Sequence, residues 1–428
     1  MRRTSENLCT LGHWLRWECK RPSAFCATPP KLLLCCAERT LLSEGSIVQT
    51  ALPSMNAAAV PSLPAILSGT LTLYQLYDIG DAIDLDLAQA CLAAPGARRR
   101  APVPARQSES IQIAQPPLRI ELGATSAALG GLAFAGRLRA SIYDLGAIAL
   151  ALELPLPGPI GWATVADLLG AAQALPPALV GRFTVGLDEL TALIRPAVNR
   201  PERSPLIEDY SVLLVEQLDQ PAAAAALADH PIAQAALLGE RRQLSPSATK
   251  LIASLSYYPD DLALLSWNGA LLIDTDPLSA ATAADLVEFA NVELLMLRSY
   301  EAQLDAQLPQ MYRRIGVAQR RFSLPLVRPY SRLLHDLQRL VVDITEVTER
   351  VDNAFKVTDD VYWNRLYSAM LSVLRVQLWR EGVEHKLALL RETYGMLHDQ
   401  AEAERANVLE WTVIILILIE VIFAFVWH

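Results

Sequence analysis

Apolar and polar positions change their period near residue 275, and that change divides the chain. Upstream, short β-rich runs mix with short helical ones. The stretch 69–90 reads as a strand running into a helix, because Gly69-Thr-Leu-Thr-Leu-Tyr-Gln-Leu-Tyr77 is followed by Asp84, which can cap a helix over Leu85–Leu92. Residues 117–122 and 134–154 predict two or three further strands, 163–177 and 181–197 two helices, Ile207–Val215 a strand, and 248–255 a short helix. Asp261–Trp267 and Ala270–Asp274 flank Asn268-Gly269, the pair that supplies positive φ in two-residue hairpin loops. Residues 95–117, with Arg98-Arg99-Arg100 and several Pro and Ser, read as a loop or linker; the Arg triplet could touch anionic lipid or RNA, or be a solvated loop. Leu76-Tyr-Asp-Ile-Gly80 is echoed by Ile142-Tyr-Asp-Leu-Gly146, either a duplicated unit or a coincidence. The expectation for 55–275 is an α+β domain whose sheet is covered on one face.

Downstream the period is helical. Asp276 can cap a helix with Pro277 in its first position, and Leu297, Tyr300, Leu304, Met311 and Ile315 recur at helical spacing until Pro309 should kink or end it. A heptad over Leu337–Ala354, a connector at 356–359 and a long return helix predict an antiparallel helical hairpin over 276–410. The return helix holds one a/d register from Leu366 to Phe425, broken only by Arg380 and Glu404, with Gly382 and Gly395 as places to bend. Its excess length needs a partner surface, which makes self-association an expectation.

That helix ends in residues 411–427, where Thr412 and Glu420 alone are polar and a Trp stands at each end, the pattern of a single transmembrane helix with interfacial aromatic residues. Arg380, Arg391 and Arg405 lie upstream, so the bulk of the chain is expected on the cytoplasmic side of a bacterial inner membrane, or the matrix side of a mitochondrial one. Glu420 would be costly to ionise there, which points to a neutral Glu, a helix–helix contact or a proton-linked role.

Composition agrees. Of 428 residues, 52% are hydrophobic and 19% charged, the net charge is −9, and mean hydropathy is +0.24. Disorder is excluded, and direct nucleic-acid binding is not expected of so acidic a chain. Residues 1–54 differ: they hold five of the six cysteines and carry +3 (seven Arg/Lys against four Glu), and read as a disordered or spurious leader before Met55.

Candidate chemistry is sparse. Phosphate-binding loops, dinucleotide fingerprints, zinc-protease strings and hydrolase elbows are absent from the sequence, and no catalytic, cofactor-binding or metal residue is nominated. His335-Asp336 and His398-Asp399 point to different sides of their helices. Asp359-Asp360 near Trp363 reads as charge at a helix start, and Glu288 and Glu293, with Arg298, as charges on a helix face.

Val357-Thr-Asp-Asp-Val-Tyr-Trp-Asn-Arg-Leu-Tyr367, Val383–Leu390 and Arg405–Val421 resemble the required-for-meiotic-nuclear-division family, with its acidic-aromatic Trp motif, long helix and Leu-Glu-Trp membrane segment. The resemblance implies a domain of unknown function without enzymatic activity, whose mitochondrial members are membrane-anchored and linked to mitochondrial translation. The expected function is a non-enzymatic membrane-anchored scaffold or tether with lipid and an unidentified protein as partners. The alternative is a membrane-surface enzyme whose site lies in the α+β domain.

Overall fold

The computed structural model describes residues 63–93, 115–221, 223–320 and 360–426, together with 338, 342 and 345. By its contacts the chain divides into Met1–Val60 and Pro61–His428, and all that follows concerns the second unit. The expected leader, the 95–117 linker from 95 to 114, the 337–354 heptad and the 356–359 connector lie outside the described residues, the three isolated positions apart.

In chain order the strands are β1 (Ile66–Asp78), β2 (Ala82–Ile83), β3 (Leu118–Leu129), β4 (Leu132–Ile142), β5 (Ala147–Pro155), β6 (Val198–Asn199), β7 (Ile207–Leu218), β8 (Ala253–Leu255), β9 (Leu262–Leu265) and β10 (Gly269–Ile273). The helices are α1 (Leu85–Ala93), α2 (Trp162–Ala172), α3 (Pro177–Ile194), α4 (Ala224–Ala228), α5 (Pro231–Leu237), α6 (Pro246–Thr249), α7 (Pro277–Arg320), α8 (Val361–Val373) and α9 (Val376–Val426). The architecture is mixed α+β: one eight-stranded sheet, then long helices. The sheet order is β3-β4-β5-β1-β7-β10-β9-β8, antiparallel throughout except for the parallel β7–β10 pair.

Both faces of this sheet are covered, where one was expected. Leu71, Leu73, Leu150, Leu152 and Leu213 pack with Val165, Phe183 and Leu187 of α2 and α3 on one side. Tyr74, Ala147, Ala149, Ala151 and Val212 pack with Phe289, Ala290, Met296 and Leu366 of α7 and α8 on the other. β5 shows why. Its Ala-Ile-Ala-Leu-Ala-Leu alternation puts bulky residues toward α2 and α3 and alanines toward α7, so the helix lies close against small side chains.

Several local expectations change. The 248–255 helix is α6 followed by β8. α7 continues through Pro309 rather than ending there. The return helix breaks at Arg375, at φ 52°, and not at Gly382 or Gly395. At the β9–β10 hairpin the N–H of Ser266 donates to the Gly269 carbonyl at 2.9 Å, leaving Trp267 and Asn268 as turn residues. Gly269 has no positive φ; a Cβ there would stand 2.8 Å from Ser211 Oγ, so close approach to β7 demands the glycine. The two Tyr-Asp-x-Gly segments meet in space: Ile79 N–H donates to the Gly146 carbonyl at 3.0 Å, and Gly146, at φ 92°, lies against Gly80.

Candidate functional site

α7 is buried around most of its circumference from Ala280 to Tyr300, yet it carries charges through that stretch. Glu288 and Glu293 are 1% and 0% exposed, so the expectation that they are helix-face charges fails. A carboxylate in a packed interface must be paired or neutral. Each finds partners on an element distant in sequence. Glu288 accepts from Tyr143 Oη at 2.5 Å and pairs with Arg139 at 3.3 Å, both from the β4 end of the sheet. Arg119 of β3 pairs with Asp285 at 2.7 Å. Glu293 accepts from Tyr367 Oη at 2.7 Å and Arg380 Nη2 at 2.5 Å, which ties α7 to α8 and α9. Arg380, one of the two breaks in the a/d register, is thereby explained.

Further along, Arg298 pairs with Glu208 of β7 and lies 5.4 Å from the Trp379 ring centroid, and Lys386 bridges Glu301 at 2.9 Å and Asp305 at 2.6 Å. Burial pushes the Glu208 carboxyl up to about 7 against the lowering by Arg298. Burial likewise lifts Asp78, at the end of β1, to about 6, opposed by hydrogen bonds with Ser299 and the Gly80 N–H. Tyr143 is raised by burial and by the adjacent Glu288. These groups tie α7 to the sheet and to α8 and α9.

An opening lies where the β8–β9 loop, the β10–α7 turn and the start of α8 converge. The cavity, of about 390 Å³, is lined by Tyr257, Tyr258, Tyr362 and Trp363 and by five aspartates: 260, 261, 274, 276 and 360. Local structure fixes most of the carboxylates. Asp261 accepts from Tyr257 N–H at 2.7 Å, and Asp274 from Asp276 N–H at 2.8 Å. Asp276 caps α7 through Ser279 N–H at 3.0 Å, with Pro277 in the first turn as expected. Asp360 caps α8 through the N–H groups of Tyr362 and Trp363 at 2.8 and 3.3 Å, the helix-start role read from the sequence. Burial raises the Asp274 carboxyl, and neighbouring Asp261 and Asp276 add to the shift. The Tyr362 phenol is raised by burial and then by Asp261 and Asp274. Trp363 is 8% exposed. Sequence reading passed over Tyr257, Tyr258, Asp261 and Asp274; the doubled tyrosines beside two aspartates were the available signal.

Of the histidines, His230 caps α5 by accepting from Ile232 N–H at 3.2 Å, and His385 is exposed on α9. His335 and Asp359 lie outside the described residues. Among the described residues no three His, Cys, Asp or Glu side chains are grouped to hold a metal ion.

The third feature is the end of α9. Its a/d residues Val376, Val383, Leu387 and Leu390 are buried against the α7 side, but every residue from Leu409 to Phe423 is exposed, including Ile415 at 51% and Leu418 at 59%. Among the described residues no single helix is long and apolar enough to cross a membrane; α2 and α3 pass that test only as a pair bent by 57°, and both are packed into the core. The side chains described without interruption at this end of α9 run over 409–423, roughly 22 Å of helix.

A family model described as the N-terminal domain of the uncharacterized protein MJ0711 matches residues 68–280, the sheet and the start of α7. The uncharacterized protein MJ0711 of Methanocaldococcus jannaschii is 24% identical over 174 residues, 41% of this chain. The match spans 52% of the archaeal protein, about half its length. No solved structure matches.

Proposed function

We propose that this protein is a non-enzymatic scaffold held at a membrane by the end of α9, with the sheet and its helices as the docking body. The observation that carries the reading is the exposed run 411–423, in which every residue but Thr412 and Glu420 is apolar or Trp. A contiguous apolar surface of this kind is costly in water and marks a membrane or partner contact. Lipid suits it because the exposure goes all the way around the helix, whereas a protein partner would need one stripe.

We assign the chain on this basis to the required-for-meiotic-nuclear-division proteins that its C-terminal third resembles. Support comes from α8, which opens on the Asp360-Val-Tyr-Trp363 motif and buries Trp363 and Tyr367 against α7.

The test is flotation of vesicles carrying the expressed chain. The full chain should float with lipid at high salt and resist alkaline extraction, while a chain ending at Val408 should stay at the bottom of the gradient. Equal flotation of the two chains would refute attachment through this segment.

A further inference from the structure

The two edges of the sheet are finished differently. β3, at one end, has a register shift between Glu121 and Gly123 and an exposed charge at Glu121, devices that discourage a further strand. β8, at the other, has neither: it is Ala253-Ser254-Leu255, uncharged and regular in its pairing with β9. Among the described residues no backbone hydrogen bond except those to β9 reaches 253–255. The outer side of β8 therefore offers unpaired backbone groups to another strand.

Beside that edge stands α8, and an open groove of about 870 Å³ lies between them. α8 lines it with Val361, Asn364, Arg365, Ser368 and Ala369, the spacing of one helix face. Ala253 and Leu255 of β8 are partly buried along it, while Val361 is 74% exposed. From Val361 to Ala369 the helix rises about 12 Å, close to the ~13 Å of a four-residue strand. An edge strand with a helix alongside is the geometry in which an extended peptide adds a strand. Its backbone pairs with the edge, and alternate side chains meet the helix. Charge narrows the choice of peptide. Among the described lining residues Arg365 alone is charged; it is exposed and makes no hydrogen bond or ion pair.

We propose that the groove between β8 and α8 binds an extended segment of a partner protein as an additional strand, with an Asp or Glu side chain of that segment on Arg365. Apolar side chains two positions to either side meet Val361 and Ala369, which stand one turn before and after Arg365 on α8. The spacings agree: four helical residues rise about 6 Å, and two strand residues about 6.6 Å. The inference rests on the scaffold reading, whose docking site it names, and not on the membrane attachment.

Selection of displayed random nonapeptides on the full chain in detergent micelles tests it, with empty micelles as the control. Enriched peptides should carry an Asp or Glu with apolar residues two positions to either side. An Arg365→Glu chain should select Lys or Arg at that place instead. Arg365→Gln should bind the acidic peptides about fivefold more weakly, the upper end for an exposed ion pair. In calorimetry of one enriched peptide, N-methylation should abolish binding at alternate positions and spare those between, because only every second N–H of an added strand faces β8. Melting temperatures establish that the variants fold. Flotation of the Arg365→Glu chain with lipid should equal that of wild type, so that loss of the groove and loss of membrane attachment are read separately. No enrichment over empty micelles, the same peptides on wild type and Arg365→Glu, or an N-methylation pattern without alternation overturns the proposal. So does a wild-type dimer that Arg365→Glu dissociates, since a second copy would then occupy the groove.

Discussion

Glu293→Gln is the sharpest probe of how the helices are held to one another. The Glu293 carboxylate is wholly buried and accepts from two donors at once, Tyr367 Oη on α8 and Arg380 Nη2 on α9. Glutamine keeps the volume but offers a single acceptor oxygen, and its amide N–H₂ then faces one of the two donors. Arg380 has 27% of its side chain exposed and can turn toward water, while Tyr367 at 5% cannot. A buried donor left unsatisfied costs about 1–3 kcal/mol, and a hydrogen bond to a charged group is worth about 1.5–3 kcal/mol. Lower desolvation of the neutral amide offsets part of this, so the expected loss is about 2–3 kcal/mol. Urea unfolding in mild detergent, followed by tryptophan fluorescence, reads it, since Trp363 and Trp379 lie beside this interface. Combined with Tyr367→Phe, the loss should fall short of the sum of the two singles by about 1 kcal/mol, because both remove the same bond. A Glu293→Gln protein within about 0.5 kcal/mol of wild type, or strict additivity in the double variant, would refute the buried tie.

Two further outcomes follow from particular groups. Glu208 titrates near 4.5 when unfolded and is lifted to about 7 by burial, so the folded chain keeps a proton that the unfolded chain loses. Its contribution to stability therefore declines as pH rises from about 4.5 to 7 and is level above that, a total of about 3 kcal/mol. Unfolding of Glu208→Gln across that range should show a correspondingly flatter dependence, and parallel curves for the two proteins would contradict the shift. Gly146→Ala places a Cβ 1.8 Å from the Gly80 carbonyl at φ 92°, so it should cost at least ~3 kcal/mol or abolish soluble expression, read by thermal melting.

The sheet strands were legible where their chemistry is local. β1, β3, β4, β5 and β7 announce themselves by alternation and β-rich composition, and the cap at Asp276-Pro277 by adjacent residues. The second covered face was not legible, because Ala147, Ala149 and Ala151 resemble a weakly apolar outer face until a helix is known to lie on them. Glu288 and Glu293 were misread for a related reason. Single carboxylates on a helix are ordinarily solvated, and the partners that allow these two to be buried stand 145 residues away at Tyr143 and 87 away at Arg380. The acidic cavity draws on segments near 258, 275 and 361, which no spacing rule joins. At Asn268-Gly269 the hairpin was legible but the role of its glycine was not, since that depends on Ser211 across the β7–β10 pair.

We propose that the end of α9 is surrounded by lipid. Nitroxide labels placed one at a time from residue 411 to 423, in a chain whose native cysteines are replaced and which is reconstituted into bilayers, test it directly through their collisions with oxygen and with a water-soluble nickel chelate. Lipid around the helix makes oxygen access rise and nickel access vanish toward the middle of the run at every position, with no helical periodicity. Nickel access throughout, or an alternation every three to four residues marking one face as water-exposed, would contradict it.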